Sequence, residues 1–546
     1  MVDRSDQRSP GRQVIDVLVV GAGPAGLALA LQAHDHGAQL RIVERRLGMF
    51  RPSRALIVHP RTLEALRPLG VTEALLARAI RSPVVSVHMG SSEVEIALDA
   101  LEFSGSPFRH PVLLRQSDLE AVLTEALVAR GVPVEYGVEL TDLAVQGGAV
   151  RALLNRDGLL TVAYSRYLAG ADGANSTVRS RLGIDWPDRS YRQEVVLADL
   201  ELAGRAPADR ADVVLRREGL LFLFPLGEMA TWRLLATREL TDPSLPVSTF
   251  GTGLERRELD LLLSGTDFAG AIARVGWSSR IRLPHRIASR FRTGRAFLVG
   301  DAAHAHSPAG GQGMNTGIQD GLNLGWKLAF AAAADARQRS VEPLLTSYEL
   351  ERRPTARRVL QLTGLLFWGE AGVGRVPAFL RTRLAPAVTP AVPWLLRHRR
   401  LGEAAVWLLG QFWVRYRRSP LAAGRSSRCI GGLRPGDRLP DQPVSTPDQQ
   451  VRLHQLTAAP GFHVLLSRDA PWPDGLDVLP VSVHRITSWR GTGVQVIRPD
   501  GYVGLRSSAD DPTILASWFR MITGHPHPGS QLRRPSTRRS VRKPPA

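Results

Sequence analysis

The sequence predicts an α/β (α+β) architecture: a parallel-sheet domain, a mostly antiparallel sheet inserted into it, and a small α/β module at the C-terminal end. Three observations predict it. Val14–Val20 (VIDVLVV) is an apolar run that meets Gly21-Ala22-Gly23-Pro24-Ala25-Gly26, the pattern of a buried strand, a tight turn and a helix. Arg295–Ala329 repeats that theme, with a strand at Ala296–Val299, an acid at Asp301, a Gly/Pro-rich loop and a helix from about Asn315. Between them, from Trp186 to Leu283, short segments alternate apolar and polar residues, as half-buried antiparallel strands do.

In the first region, the glycine turn leads into a small-residue helix ending near His36. A second strand, Leu40–Val43, ends at Glu44, 23 positions after Gly21. Gly21, Gly23 and Gly26 suit the turn, the close approach of a pyrophosphate and helix packing. An acid at the end of the second strand suits a ribose hydroxyl. With both strands present, this is a Rossmann-like site for an adenine dinucleotide, and the pattern alone leaves open which one. Arg45, Arg46, Arg51 and Arg54 follow, apt beside a pyrophosphate, with exposed loop charges as the plainer alternative. Arg54–Leu66 (RALIVHPRTLEAL) reads as an extended arm entering a helix near Thr62. Val84–Val87 and Glu93–Leu98 read as strands of an inserted sheet.

Leu113–Ser117 enters a helix whose apolar face is Leu119, Val122, Leu123, Ala126 and Leu127. Ser117 and Glu120 have the spacing of a capping box, and Gln116 just before them is placed to reach a cofactor. Val132–Tyr136 is a further parallel-type strand, and Val150–Leu153 with Leu160–Ala163 forms a hairpin. Tyr167–Ala169 then runs into GADGANSTVR, again a strand, an acid (Asp172), a glycine and a helix start.

The middle region offers strands at Val195–Leu202, Asp212–Arg216, Leu220–Pro225, Thr231–Thr237 and Ser279–Leu283, an apolar sheet suited to roofing a ligand pocket. In the second strand–acid–loop–helix stretch, Gly310, Gly311 and Gly313 let backbone approach a ligand. Ile318, Leu322 and Trp326 mark one helical face, with Lys327 beside it. A carboxylate, a glycine loop and a helix N-terminus suit a ligand carrying hydroxyls and phosphates. Leu345–Leu366 continues helically. Pro377–Tyr416 is helical, basic and proline-broken; its aromatics are expected against the sheet domain or in a subunit contact, with membrane-surface contact as the alternative. Gly431–Asp441 reads as an interdomain linker. Strands at Phe462–Leu466 and Val478–Val483 follow, then a hairpin turning at Arg498–Gly501 and a helix over Asp511–Ile522.

Composition narrows the function classes. At 546 residues the chain predicts two to four domains. A formal charge of +19 invites a nucleic-acid reading, yet only two of the 70 basic residues are lysines and no nucleic-acid-binding motif accompanies the dispersed arginines. No nucleic-acid partner is expected. No apolar run is long enough to span a bilayer, and the polar N-terminal segment is not a secretory signal. The single cysteine, Cys429, excludes an intramolecular disulfide and a cysteine-cluster metal site, which fits a cytoplasmic protein. His304 and His306 have i, i+2 spacing, but loop packing is favoured over metal ligation, and no metal is expected.

Three motifs in this order (GAGPAG ending at Glu44, GADGANSTVR, and GDAAHAHSPAGGQGMN) resemble the FAD-dependent aromatic hydroxylases, single-component flavoprotein monooxygenases of the p-hydroxybenzoate and phenol hydroxylase type. RPGDRLP and RPDGYVGLR point to polyketide-hydroxylase-like members with a thioredoxin-like C-terminal domain. The resemblance implies a FAD-binding domain in two parts, residues 14–183 (with a sheet insertion near 83–110) and 286–425. It further implies a substrate sheet over 184–285 and a thioredoxin-like domain over 430–523, with disordered ends at 1–13 and 524–546. It places the FAD pyrophosphate at Gly21, Gly23, Pro24, Ala25 and Gly26, and the adenosine ribose at Glu44 with Arg45 beside it. Arg54 and Gln116 fall near the pyrophosphate and ribityl chain, and Asp172 in a motif that serves FAD and NAD(P)H. Asp301 falls at the ribityl or pyrophosphate region, and Pro308, Gly313, Met314 and Asn315 along the flavin ring. The implied reaction hydroxylates an aromatic small molecule, phenolic or polyketide-type, with NAD(P)H and O2 through a flavin hydroperoxide. Baeyer–Villiger or epoxidising oxygenation and O2-independent flavin chemistry share the fold and stay open, as do the substrate, the choice of NADH or NADPH, a homodimer and any catalytic side chain.

Overall fold

The protein is described from a computed structural model. It covers residues 14–524 apart from 50–55, 82–83, 90–91, 101–102, 104, 188–190, 192, 205–209, 226, 228, 243, 246–250, 373, 389–390, 392–393, 395–397, 425–432, 472–480, 491 and 509–511.

The first strand, Val14–Val20, lies between Leu40–Glu44 and Leu159–Gly170, parallel to both. Val134–Tyr136 extends the sheet on one side and Ala296–Leu298 on the other, also parallel. Parallel strands buried on both faces read as continuous apolar runs, and Val17, Leu18, Val19, Ile42 and Val43 have no exposed surface. The register brings the motifs together. Val20 pairs with both Val43 and Gly170, and Gly170 pairs with Leu298, so four strands end at one edge. Gly21, Glu44, Asp172 and Asp301 all leave the sheet there. Ligands of open α/β sheets bind outside the carboxyl ends of the strands.

The expected strands at 160–163 and 167–169 are one 12-residue strand, Leu159–Gly170. Its first half pairs antiparallel with Ala149–Arg156 and its second half parallel with Val14–Val20. That change of partner is invisible to a local pattern.

The second sheet has seven strands, in the order Ile272–Arg282, Gln193–Leu202, Trp232–Glu239, Leu220–Phe224, Arg210–Leu215, Val84–Met89 and Ser92–Ala97. All pairings are antiparallel except that of Arg210–Leu215 with Val84–Met89. The early strands expected as a separate insertion therefore complete the middle sheet. One face of this sheet packs on the amphipathic helix Arg256–Leu263, and the other meets Ala309, Phe367 and Ala371 of the parallel-sheet domain.

The C-terminal module is a mixed four-stranded sheet with Phe462–Ser467 inside it, parallel to Val481–Ile486 and antiparallel to Gly493–Ile497, which continues into Val503–Ser508. Helix Pro512–Thr523 closes one face, a thioredoxin-like arrangement. That face is part of the main core: the Phe462 ring lies 5.6 Å from Trp326 and 5.3 Å from Phe330, both on the long helix Gln312–Asp335. The described part of the expected linker is bound rather than free. Gly436 N–H donates to Val503 O and Leu439 N–H to Gly501 O.

Candidate functional site

At the first turn, Gly21 has φ +103°, and a Cβ there would run into the Ala171 carbonyl. Helix Pro24–His34 begins with Pro24 in its first turn and has no side-chain cap and no acid in that turn. Its N-terminal N–H groups and positive dipole end are thus available to an anion. Ala25 packs between Gly300 and Gly317, fixing the distance between the two glycine motifs.

Glu44 is buried and its carboxylate accepts from Ala22 N (2.9 Å) and Arg46 N (2.9 Å). Burial would raise its pKa, but the Arg46 guanidinium and these N–H groups outweigh burial and hold it below the usual carboxylate value. Arg46 also donates to Ala22 O (3.1 Å) and Glu120 (3.2 Å), and Gln116 donates to the other Glu120 oxygen at 2.8 Å. Arg46 is therefore the arginine that buttresses this edge, whereas Arg45 is exposed. Arg54 lies outside the described residues. The expected capping box is not formed: helix Gln116–Ala129 starts two residues earlier, with Arg115 as N-cap, and Glu120 is drawn to Arg46 and Gln116.

Asp172 accepts from Ser176 Oγ (2.6 Å) and Val178 N (3.0 Å), so both oxygens hold the start of helix Thr177–Arg181, and burial raises its pKa. Arg179 donates to Ala302 O at 3.0 Å and packs over Trp186, tying this motif to the Asp301 turn.

Asp301 is different. It is exposed at the end of Ala296–Leu298 and its carboxylate has no partner among the described residues. Beyond it, the Gly310–Gly311 backbone is left-handed (φ +65° and +63°), and a Cβ on Gly311 would lie 2.8 Å from Ile57 Cβ. Gly313 is open; the nearest atom to a Cβ there is His306 Cε1 at 3.8 Å. Pro308 and Met314 are half-buried beside it. The helix starts at Gln312 rather than near Asn315. Asn315 is buried and stitched inward, accepting from His59 N (2.9 Å) and donating to Ile57 O (2.9 Å) and Gly311 O (2.7 Å). Its side chain therefore shapes the loop.

Residues that local patterns did not single out face this loop. Tyr191 Oη and His285 Nδ1 are hydrogen-bonded at 2.8 Å, and the Tyr191 ring meets Phe367 edge-on at 4.7 Å. They border the apolar layer that joins Ala309 to Val195, Leu197 and Ile281 of the second sheet. His306 lies nearby with Nε2 unpaired; burial, with His304 and His285 adding repulsion, pushes it down to about 4. One sequence signal was available for the packing: Gly317, Gly321 and Gly325 recur every four residues, and the last two lie directly against the first helix.

A family model described as "FAD binding domain" matches residues 14–363. The chain belongs to this FAD-dependent monooxygenase family. The flavoprotein is 34% identical over 464 residues to 6-methylpretetramide 4-monooxygenase of Streptomyces rimosus, covering 83% of this chain and 79% of that one. It is 29% identical to pentachlorophenol 4-monooxygenase of Sphingobium chlorophenolicum over 81% of this chain and 77% of that enzyme. Among solved structures, the OxyS anhydrotetracycline hydroxylase from Streptomyces rimosus superposes with a TM-score of 0.73 at 27% identity, over 94% of this chain and all of the other. The site fits FAD on this structure's own terms. Its sheet edge has a turn that a Cβ would close, an uncapped helix N-terminus, an Asp301 without a partner among the described residues and an open Gly313. Among the described residues no cluster of metal-ligating side chains occurs, and no helix is long and apolar enough to cross a membrane. The flavoprotein is thus an FAD- and NAD(P)H-dependent monooxygenase of the aromatic-hydroxylase type.

Proposed function

We propose that this monooxygenase hydroxylates a phenolic ring of a multicyclic, polyketide-type aromatic molecule held between the flavin and the second sheet. The unpartnered Asp301, lying between an uncapped helix N-terminus and an open glycine loop, carries the reading. Two relatives whose names carry tetracycline-type substrates support the substrate class. FAD, when bound, takes two electrons from NAD(P)H and lets O2 deliver one oxygen atom to the ring, the other leaving as water.

The protein's own groups then have defined tasks. Gly21, Gly23, Pro24, Ala25 and Gly26 leave room for the pyrophosphate, and Ala25 and Gly26 offer it N–H groups at the helix start. Glu44 offers a carboxylate edge for the adenosine ribose, and Asp301 accepts from cofactor hydroxyls. Gly313 and Met314 leave clearance for a flat ring, and Asn315 fixes the loop that provides it. The apolar faces at Phe367, Leu197 and Ile281 exclude water from the reacting centre. Tyr191 Oη, already bonded to His285 Nδ1, can accept a ring-hydroxyl proton as its own passes to the histidine. An ionised ring is the better oxygen acceptor.

The test is anaerobic reduction by NADPH with and without a panel of phenolic and polycyclic ligands, followed by product mass after turnover in 18O2. Faster reduction with one ligand and a single added 18O on its ring supports the reading. Reduction insensitive to every ring ligand, or oxygen found in a lactone or epoxide, overturns it.

A further inference from the structure

The sequence of the C-terminal module, residues 430–523, contains no cysteine, since Cys429 precedes it, so it offers no thiol chemistry. Its hairpin turn, Arg498-Pro499-Asp500-Gly501, is instead inserted into the flavin-binding half. Arg498 has no exposed side-chain surface and grips Glu351 with two N–H···O bonds of 2.7 and 2.8 Å. Asp500 accepts from Asn323 Nδ2 at 2.9 Å, and its backbone oxygen accepts from Arg61 at 2.8 Å. Lys327 and Ser419 complete the same buried cluster through Glu351.

From this turn a continuous line of contacts runs to the flavin loop. Tyr502, next after the turn, packs on Tyr416 with ring centroids 4.2 Å apart. Tyr416 Oη accepts from Arg352 Nη1 at 2.7 Å. Arg352 donates through Nε to Asp320 Oδ1 at 2.6 Å and through Nη2 to Thr316 O at 3.2 Å. Asp320 Oδ2 accepts from Gly300 N (3.2 Å) and His304 Nε2 (2.6 Å). Gly300 and His304 bracket Asp301. Arg352, Asp320 and Glu351 are buried, so none of these links is exchanged with water. A planar guanidinium fork between fixed partners leaves little angular freedom.

We propose that the C-terminal module is a positioning element of the flavin site. Its Arg498–Tyr502 turn, acting through the positioning residues Tyr416, Arg352 and Asp320, fixes the Gly300–His304 turn that presents Asp301 to the cofactor. The proposal rests on Asp301 contacting FAD, as argued above. It explains why a module without redox residues is fused so intimately to the oxygenase: the second buttress of the flavin loop lies outside the dinucleotide fold.

The test is FAD affinity, read by flavin fluorescence on titrating the full-length apoprotein, beside the melting temperature of the same samples. Tyr416→Phe removes one oxygen and keeps the ring; Arg352→Lys keeps the charge and loses the fork. Leu259→Ala, in the helix Arg256–Leu263 behind the second sheet, supplies a destabilised control off this line of contacts. The expected result is an FAD Kd raised about tenfold in the first two, the loss of one charge-assisted bond. In Leu259→Ala it stays within about twofold despite a lower melting temperature. An unchanged Kd in Tyr416→Phe overturns the proposal, as does a Kd in Leu259→Ala raised as much as in the other two; should Arg352→Lys fail to fold, Tyr416→Phe carries the test. Asp301→Ala separates the underlying reading. If it binds FAD normally, the placement of Asp301 falls and the proposal with it. If it loses FAD while Tyr416→Phe does not, the proposal alone falls.

Discussion

Glu351→Gln is the substitution whose cost the structure defines most closely. The Glu351 carboxylate has no exposed surface and accepts from Lys327 Nζ (2.8 Å), Asn323 Nδ2 (2.7 Å), Ser419 Oγ (2.5 Å) and both Arg498 nitrogens (2.7 and 2.8 Å). With Asp500, it balances two buried cations. Glutamine keeps the volume, but it removes one charge and turns an NH2 group towards two cations. Breaking one partner of a buried pair costs ~3–5 kcal/mol. For a cooperative unit of a few hundred residues that lowers the melting temperature on the order of 10 °C. The pH dependence has a definite sign. Burial, against the opposing pull of Glu351, holds Lys327 down to about 8, below its usual 10.5. Between those values the unfolded chain binds the extra proton, so this lysine's contribution to stability rises with pH there. Without Glu351 the lysine falls further and the rise begins at lower pH. Melting by far-UV circular dichroism from pH 6 to 10 reads both effects. A second variant closes the argument: adding Lys327→Met should recover most of the loss, because it removes the stranded charge. A drop of only a degree or two at neutral pH, or a double variant as unstable as the single one, would refute the reasoning.

The other predictions concern the carboxyl edge of the parallel sheet and the loop beside it. Asp301→Ala should purify with most of its FAD missing while its circular dichroism is unchanged; normal flavin content would sink the placement. Gly311→Ala forces a left-handed alanine against Ile57. It should cost ~1–3 kcal/mol in urea unfolding, and a neutral result would show that the loop has another accessible shape. Tyr191→Phe should lower kcat, with loss of one limb of its pH profile and unchanged FAD binding; an unaltered profile removes the Tyr191–His285 pair from the proton path. Burial pushes the imidazoles of His59 and His306 down to about 4, below their usual 6.5. Both are protonated more readily in the unfolded chain, so the stability they contribute is present above pH 6.5 and lost as pH falls towards 4. Replacing His306 with Gln should flatten the melting-temperature profile over that window, and an equally steep fall would count against the neutral, buried imidazole.

What could be read from the sequence, and what could not, divides along a physical line. The dinucleotide turn, Glu44 and the Asp301 loop were legible because each is a local constraint: a backbone that only glycine satisfies, or an acid at a strand end with a fixed offset. The seven-stranded roof was legible as strands but not as a sheet, because Val84–Met89 joins Arg210–Leu215 across more than a hundred residues. No period of two encodes that pairing. The same limit applies to the basic aromatic segment. Phe412 is buried within the chain at 5% exposure, whereas Trp394 is 60% and Trp407 38% exposed, so the expected packing against the chain's own core holds for the first and the subunit-contact and membrane-surface readings stay open for the other two. Composition cannot tell which aromatic faces a neighbour that is itself set by tertiary packing. Arg46 rather than Arg45 braces Glu44 for a similar reason: successive residues past a strand end point in different directions, and only the chain's turn decides which returns to the carboxylate. The least legible part is the line from Arg498 to Asp320. It is assembled from four separate segments, and in sequence its charged members look like ordinary surface charges. Charges that end up with no exposed surface are costly unless each is matched. A core that matches Lys327, Arg352 and Arg498 with Glu351, Asp320 and Asp500 therefore ties the assembly of the C-terminal module to the geometry of the Gly300–His304 turn.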